Sequence, residues 1–335
     1  MKKKYLFQAI STMACVSLMC AFVPVFTGCS DKSSSVQPET KTQVEGVFGN
    51  GVNLQPSYYN SGNADLGWRY MTSGNSFNFD TGNKIKTVRI EIEPGQETNA
   101  KRWISEAKTA GKTIICTYHK ASVLGSDDAN ELTAAANWWK NNYSSLGGGF
   151  TINLMNEWGS HNLTATAYAN AYNNAISIVR QVYSGSIIID IPGWGQESYV
   201  AVNAVLARGT GGVKINDTNI ILSTHIYAGN WVQQRTNTSG TVTGSGWMNT
   251  ADLDYLNTSG RSVIVGEFGN GTSGSADWSG LVDNAKGKGW TVLGWSWNGD
   301  GGSMNMITPQ FQAYTAGSPK TYSKSSYWNT IINKL

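Results

Sequence analysis

From about residue 47 onward, short runs rich in Val, Ile and Thr recur at intervals of 27 to 43 residues. Between them lie longer segments in which apolar positions fall three or four apart, so a period of two alternates with a period of 3.6. Eight strands are predicted, at 47–54, 86–92, 113–119, 150–156, 187–191, 220–226, 263–267 and 291–297. Several are almost wholly apolar, as parallel strands covered on both faces must be. Helices are predicted at 97–110, stopping at Gly111, at 128–146, stopping at Gly147, and at 164–183, stopping before Gly185. Glycine suits the left-handed turn that closes a helix. In the third helix Tyr168, Tyr172, Ala175, Ile176 and Val179 share one face and should pack inward. The crossover 55–83 is weakly helical, 229–246 reads as a long Asn-, Thr-, Ser- and Gly-rich loop, and 322–335 reads as a closing helix. Strands alternating with helices define the α/β class, and eight repeats in one domain from residue 45 to 335 predict a (β/α)8 (TIM) barrel. The alternative is a doubly wound sheet, but no GxGxxG or GxxxxGK[ST] follows an early strand. No helix-turn-helix, zinc-ligand spacing or RNA-binding motif is present either, and no metal site, phosphate site or cofactor is expected.

The chain before the barrel has a different character. Lys2, Lys3 and Lys4 precede an apolar stretch over 5–26 that ends in Phe26-Thr27-Gly28-Cys29. Residues 1–28 therefore read as an export signal. Small residues directly before Cys29 resemble the bacterial lipoprotein processing site, which implies acylation of that thiol and a place in the cell envelope, on the outer membrane or cell surface. An uncleaved anchor and an ordinary cleaved signal are the alternatives. Residues 29–44 are too poor in apolar side chains to fold and are expected to be a tether. The formal charge of +3 resides in the three leading lysines, and without them the chain is neutral. No nucleic-acid partner is therefore implied, and membrane attachment is expected only through the lipid. Cys15 and Cys20 fall in the signal, which leaves Cys116 alone and excludes a disulfide within the mature chain. With 14% charged residues but 13 Trp, 15 Tyr and 38 Gly, the surface is one of aromatics, amides and hydroxyls. Such a surface suits neutral polar ligands such as sugars.

In a barrel of this kind the C-terminal strand ends converge on one face, where chemistry is done. Those ends carry Arg89, His119, Asn156-Glu157, His225 with Tyr227, Glu267, and Trp295 with Trp297. Two carboxylates, Glu157 after the fourth strand and Glu267 at the seventh, are what cleavage of a glycosidic bond needs: one to protonate the leaving oxygen, the other to attack the anomeric carbon. The runs Ile152-Asn153-Leu154-Met155-Asn156-Glu157-Trp158 and Val263-Ile264-Val265-Gly266-Glu267-Phe268-Gly269 resemble the fourth- and seventh-strand signatures of glycoside hydrolase clan A, most closely family 5. The resemblance implies a retaining double displacement, with Glu157 as acid/base and Glu267 as nucleophile. It also implies that Arg89 keeps Glu267 ionised, Asn156 holds the sugar 2-hydroxyl, Tyr227 touches the nucleophile and His225 lines the reacting subsite, while His119 resembles the third-strand histidine of the site. Trp295 matches the tryptophan under the sugar at the cleavage point.

Other assignments stay open between function and packing. Trp158, Trp194 and Trp231, in loops after the fourth, fifth and sixth strands, are candidate sugar platforms, and His161 could touch substrate. Trp297 reads as packing, as does at least one of Trp138 and Trp139. Glu91, Glu93 and Asp190 are rival carboxylates, with Glu91 and Glu93 read as salt-bridge or substrate-side residues. The run Ile189-Asp190-Ile191-Pro192-Gly193-Trp194-Gly195-Gln196 resembles bacterial mannanases and tilts the expected substrate to β-1,4-linked mannan or glucomannan. Lys120-Ala121 after His119 departs from that subgroup, which expects an acidic residue there, and keeps an endo-β-1,4-glucanase (cellulase) open. A non-catalytic glycan-binding lipoprotein and a transglycosylase remain the other readings. A monomer without a further module is expected.

Overall fold

The computed structural model describes residues 48–56, 62–229, 232–271, 274 and 276–335. The expected signal, Cys29, the tether, Val47 and Trp231 lie outside the described residues. The chain runs through β1 (Gly51–Leu54), β2 (Thr87–Ile92), α1 (Glu97–Thr109), β3 (Thr113–Tyr118), α2 (Ala129–Asn142), β4 (Thr151–Asn153), α3 (Ala165–Val179) and β5 (Ile187–Asp190). It continues through the single turn α4 (Pro192–Gly195), α5 (Ser198–Val205), β6 (Ile220–Tyr227), β7 (Val232–Thr236), β8 (Val242–Trp247) and α6 (Thr250–Asn257). The last part contains β9 (Ser262–Gly269), α7 (Trp278–Gly287), β10 (Thr291–Asn298), β11 (Ile307–Thr308), β12 (Ser323–Lys324) and α8 (Trp328–Ile332). Eight parallel strands close in the order β1-β10-β9-β6-β5-β4-β3-β2, the expected (β/α)8 barrel.

Strand periodicity sorts the barrel into layers. Ile115, Ile188, Ile221, Ile264 and Leu293 point inward and, with Phe48, form a closed apolar plug. Two residues further along three of these strands the inward positions turn polar, Thr117, Asp190 and Ser223, joined by Asn53, Arg89 and Asn153 from the other strands, all fully buried. The alternate positions, among them Val52, Val88, Ile90, Cys116, Ile189 and Val265, face outward and pack with Trp103, Trp139, Tyr168 and Tyr172 of the helices. The apolar plug thus closes one end of the barrel, and its other end is left to polar side chains.

Helix ends follow the chemistry legible in the sequence. Asp128 accepts from the Asn130 N–H at the start of α2, and Thr164 from the Ala167 N–H at the start of α3. Gly111 closes α1 with φ 70°.

Three predicted elements differ. The fourth strand, expected over 150–156, is regular only for Thr151–Asn153. Beyond it, the Leu154 N–H donates to Ile188 O at 2.9 Å and the Asn156 N–H to Tyr118 O at 2.8 Å, which carries the chain to Glu157 at the barrel mouth. The expected loop 229–246 contains an antiparallel hairpin, β7–β8, with Val232 opposite Trp247. Its Asn237 Oδ1 accepts from the Ser239 and Thr241 N–H groups and shapes the turn, while Arg235 ties the hairpin to Asp252 at 2.7 and 2.9 Å. Few of its side chains are buried, so it lacks the apolar alternation that marks a strand. The closing helix is short, Trp328–Ile332, because Ser323–Lys324 pairs with Ile307–Thr308 instead.

Candidate active site

Arg89 organises the polar end of the barrel. Its Nε donates to Asn153 Oδ1 at 2.9 Å, and its Nη2 to Asn156 Oδ1 at 2.6 Å. Its Nη1 faces Asn53 Oδ1 at 2.9 Å, Glu91 Oε1 at 3.0 Å and Glu267 Oε1 at 2.9 Å. Burial opposes the guanidinium charge, but Asp190, Glu267 and Glu91 outweigh it and hold Arg89 above its ordinary range.

Glu267 owes its inward aim to a bulge. Ile264 points in and Val265 out, so strict alternation would turn Gly266 inward and Glu267 outward. The pairing with β6 jumps from Thr224↔Val265 to His225↔Glu267, and that one-residue slip turns Glu267 into the barrel. Position 266 must be glycine, because a Cβ there would lie 2.1 Å from Ser223 Oγ. Tyr227 OH donates to Glu267 Oε2 at 2.7 Å, completing the coordination that Arg89 begins at Oε1. Burial would raise the Glu267 carboxyl, yet His225, Arg89 and the Tyr227 hydroxyl together bring it below the usual value.

Glu157 sits in the opposite electrostatic situation. It leaves the strand in a left-handed conformation, φ 48°, a cost that folded proteins concentrate at functional positions. Its N–H is held by Asp190 Oδ2 at 3.0 Å, and its carbonyl accepts from the Gly125 N–H at 2.8 Å. Burial raises its carboxyl. The hydrogen bond from His225 pulls the other way, and the negative charge of Glu267 adds to the effect of burial. His225 Nδ1 is 2.9 Å from Glu157 Oε1 and 3.6 Å from Glu267 Oε2, with Nε2 3.5 Å from Asp190. Burial would favour neutral imidazole, but Glu267 and Asp190, the larger influence together, lift His225 well above the ordinary range. Ligand atoms of Glu157, His225 and Glu267 all lie within 4.8 Å of one another. That spacing could hold a cation, but Arg89, Tyr227 and His225 already donate to these carboxylates. Two neighbouring carboxyls pushed apart in acidity provide an acid and an ionised nucleophile at the same pH.

A family model described as cellulase (glycosyl hydrolase family 5) matches residues 67–301. The chain belongs to glycosyl hydrolase family 5. A mannan endo-1,4-beta-mannosidase of Streptomyces lividans is 27% identical over 241 residues, 66% of this chain and 57% of that protein. Another, from Cellvibrio japonicus (strain Ueda107), is 24% identical over 263 residues, 74% of this chain and 55% of that one. The family 5 chain thus spans just over half the length of these curated relatives. Among solved structures, the catalytic domain of a mannanase from Streptomyces sp. SirexAA-E superposes with TM-score 0.61 at 20% identity, covering 86% of this chain and 85% of that one. The catalytic domain of a Thermobifida fusca endoglucanase gives TM-score 0.54 at 16% identity, covering 78% and 83%. These structures share the fold.

The other sequence-singled residues of this family 5 barrel divide clearly. Asn156 and His119 are each 2% exposed at the mouth. His119 Nδ1 lies 2.6 Å from Glu93 Oε1, and Nε2 3.5 Å from Glu91 Oε2. Burial lowers His119, but Glu91 and Glu93 raise it to about 8. Glu91 itself is pushed up to about 7, chiefly by burial. Trp295 is 8% exposed and anchored by its indole N–H to Asp300 Oδ1 at 3.1 Å, and its peptide bond to Ser296 is cis. Trp297 is fully buried and donates to Leu66 O, which is packing as expected. Trp158 corrects the sequence reading: at 1% exposure it lies against Tyr168 and Tyr172 and donates to Asp128 O, so its ring offers no face to a sugar. Trp194 is half-buried, 5.2 Å from the His161 ring and close against Gly125, beside the backbone of Glu157. His161 is engaged with Glu197 at 2.6 Å.

Asp190 and Asn153 were undervalued by sequence reasoning. Asp190 accepts from the Glu157 N–H and from Asn153 Nδ2, and lies 3.4 Å from Arg89, so it positions the acid/base without touching the bond to be cleaved. Its sequence signal was a carboxylate two places beyond inward-facing Ile188, on a strand otherwise wholly isoleucine.

Proposed function

We propose that this family 5 chain is a retaining, endo-acting β-1,4-glycosidase acting on mannan or glucomannan. The observation that carries the mechanism is that one carboxylate oxygen of Glu157 lies within 4.8 Å of one of Glu267. Retaining enzymes need carboxyl groups about 5–5.5 Å apart for direct attack, whereas inverting ones need about 6.5–9.5 Å to admit a water between. Protonated Glu157 donates to the glycosidic oxygen while ionised Glu267 attacks the anomeric carbon from the other face. The departing sugar leaves a glycosyl ester on Glu267. Glu157, now a carboxylate, takes a proton from water, and that water's oxygen releases the sugar with its configuration kept. Arg89 and Tyr227 hold both Glu267 oxygens in the attacking orientation, and Asn156 is the group for the sugar 2-hydroxyl. His119 and His225 line the reacting subsite, Trp295 lies under the sugar there, and Trp194 flanks it.

Mannan is favoured over glucan by both curated relatives, which are mannan endo-1,4-beta-mannosidases. Export as a lipoprotein anchored through Cys29, with residues 29–44 as tether, completes the proposal and puts a monomeric enzyme at the cell envelope. The test is reducing-sugar release from galactomannan, glucomannan, carboxymethylcellulose and mixed-linkage β-glucan, with Glu157→Ala and Glu267→Ala as controls. Release from galactomannan lost in both variants supports the reading, activity on the glucans alone overturns the substrate, and unchanged turnover in Glu267→Ala overturns the mechanism.

A further inference from the structure

Trp247 is the exposed tryptophan of the described residues, at 38%, and all others described are buried or half-buried. It ends β8 and, with Arg235, Asn249, Asp277 and Asn284, lines a cavity of about 740 Å³ that is separate from the catalytic groups. One wall follows β6 through the hairpin and the other follows β9, the two strands that carry Tyr227 and Glu267. The cavity therefore belongs to the same C-terminal rim as the active site. Arg235 is paired with Asp252 through Nε and Nη2, and Asp277 caps α7 by accepting from the Gly280 N–H at 2.9 Å. Beside them, Trp247, Met248 and Leu281 supply apolar surface and Asn249 and Asn284 supply amides. Asn284 Oδ1 is buried and has no hydrogen-bond partner among the described residues.

We propose that this cavity is an auxiliary binding site for a neutral β-linked hexose polymer, in which one sugar ring lies on Trp247 and sugar hydroxyls meet the amides of Asn249 and Asn284. An aromatic face takes the C–H side of a pyranose, and the amides beside it suit its hydroxyls. A polymer already held in the cleft reaches this rim at high effective concentration, so even a weak site holds the chain and slows its departure. The proposal rests on the glycosidase reading for the identity of the polymer.

The test is affinity electrophoresis of the Glu267→Ala chain through native gels containing glucomannan or galactomannan, with and without Trp247→Ala, Trp247→Phe or Asn284→Ala. Retention should weaken about tenfold in Trp247→Ala, and less in Trp247→Phe, which keeps a ring. In the active enzyme, Trp247→Ala should lower kcat/KM on the polymer about fivefold while mannotetraose turnover stays within about twofold. Retention equal to that of the parent, equal losses on polymer and tetrasaccharide, or a dimer that Trp247→Ala dissolves without affecting retention would each overturn it. Should Trp247→Ala misfold, Asn284→Ala and Trp247→Phe read the same site. A parent retained by either gel but hydrolysing none of the four polysaccharides would refute the catalytic reading and leave this site standing.

Discussion

The hydroxyl of Tyr227 offers the cleanest test of how the nucleophile is kept ionised. Tyr227→Phe removes one donor, 2.7 Å from Glu267 Oε2, and leaves the ring and the Arg89 bond to Oε1 in place. A hydrogen bond to a charged group is worth about 1.5–3 kcal/mol, and one unit of pKa corresponds to about 1.4 kcal/mol. Full loss would therefore raise the Glu267 pKa by about 1–2 units, and about 1 unit is expected because water can return to an oxygen at the mouth. Activity requires ionised Glu267 and protonated Glu157. The acid limb of the kcat/KM profile is thus set by the lowered group, Glu267, and the alkaline limb by the raised one, Glu157. Tyr227→Phe should move the acid limb up by about one unit and the alkaline limb by much less. An unmoved acid limb, or a shift of the alkaline limb alone, would refute the assignment of the two glutamates.

Arg89→Met leaves Asp190, Glu91 and Glu267 around a buried site without its cation, so the denaturation midpoint should fall by the equivalent of about 3–5 kcal/mol; an unchanged midpoint would contradict the network. Azide added to Glu157→Ala should restore turnover of an activated aryl glycoside and give a β-glycosyl azide by NMR, whereas an α-product would exclude a covalent intermediate. His119, raised from 6.5 to about 8, binds its proton more tightly when folded, so its contribution is complete below about pH 6.5 and lost as the pH rises through about 8. His119→Gln should flatten that part of the stability curve, worth about 2 kcal/mol, and a wild-type curve already flat there would be inconsistent with the ion pairs to Glu91 and Glu93.

Much of this architecture was legible in the chain. A period of two places Arg89 and Glu91 on one face of β2, and apolar runs closed by glycine give strands and helices in strict alternation, from which barrel closure and a polar mouth follow. Glu157 and Glu267 were legible as the last residues of apolar strands in a chain with few carboxylates. Local patterning reports only which faces of one element are apolar, however, and cannot report what a face meets. Trp158 follows Glu157 directly and reads as a loop residue, yet α3 supplies the tyrosines that bury it. The hairpin β7–β8 buries little and so leaves no apolar period to find. Strict alternation would turn Glu267 outward, and it is the slip at Gly266, set by pairing with β6 and β10, that aims it at Arg89. The closeness of the two carboxylates, and the opposite shifts in their acidity, arise only when barrel closure brings strands distant in sequence around one buried guanidinium.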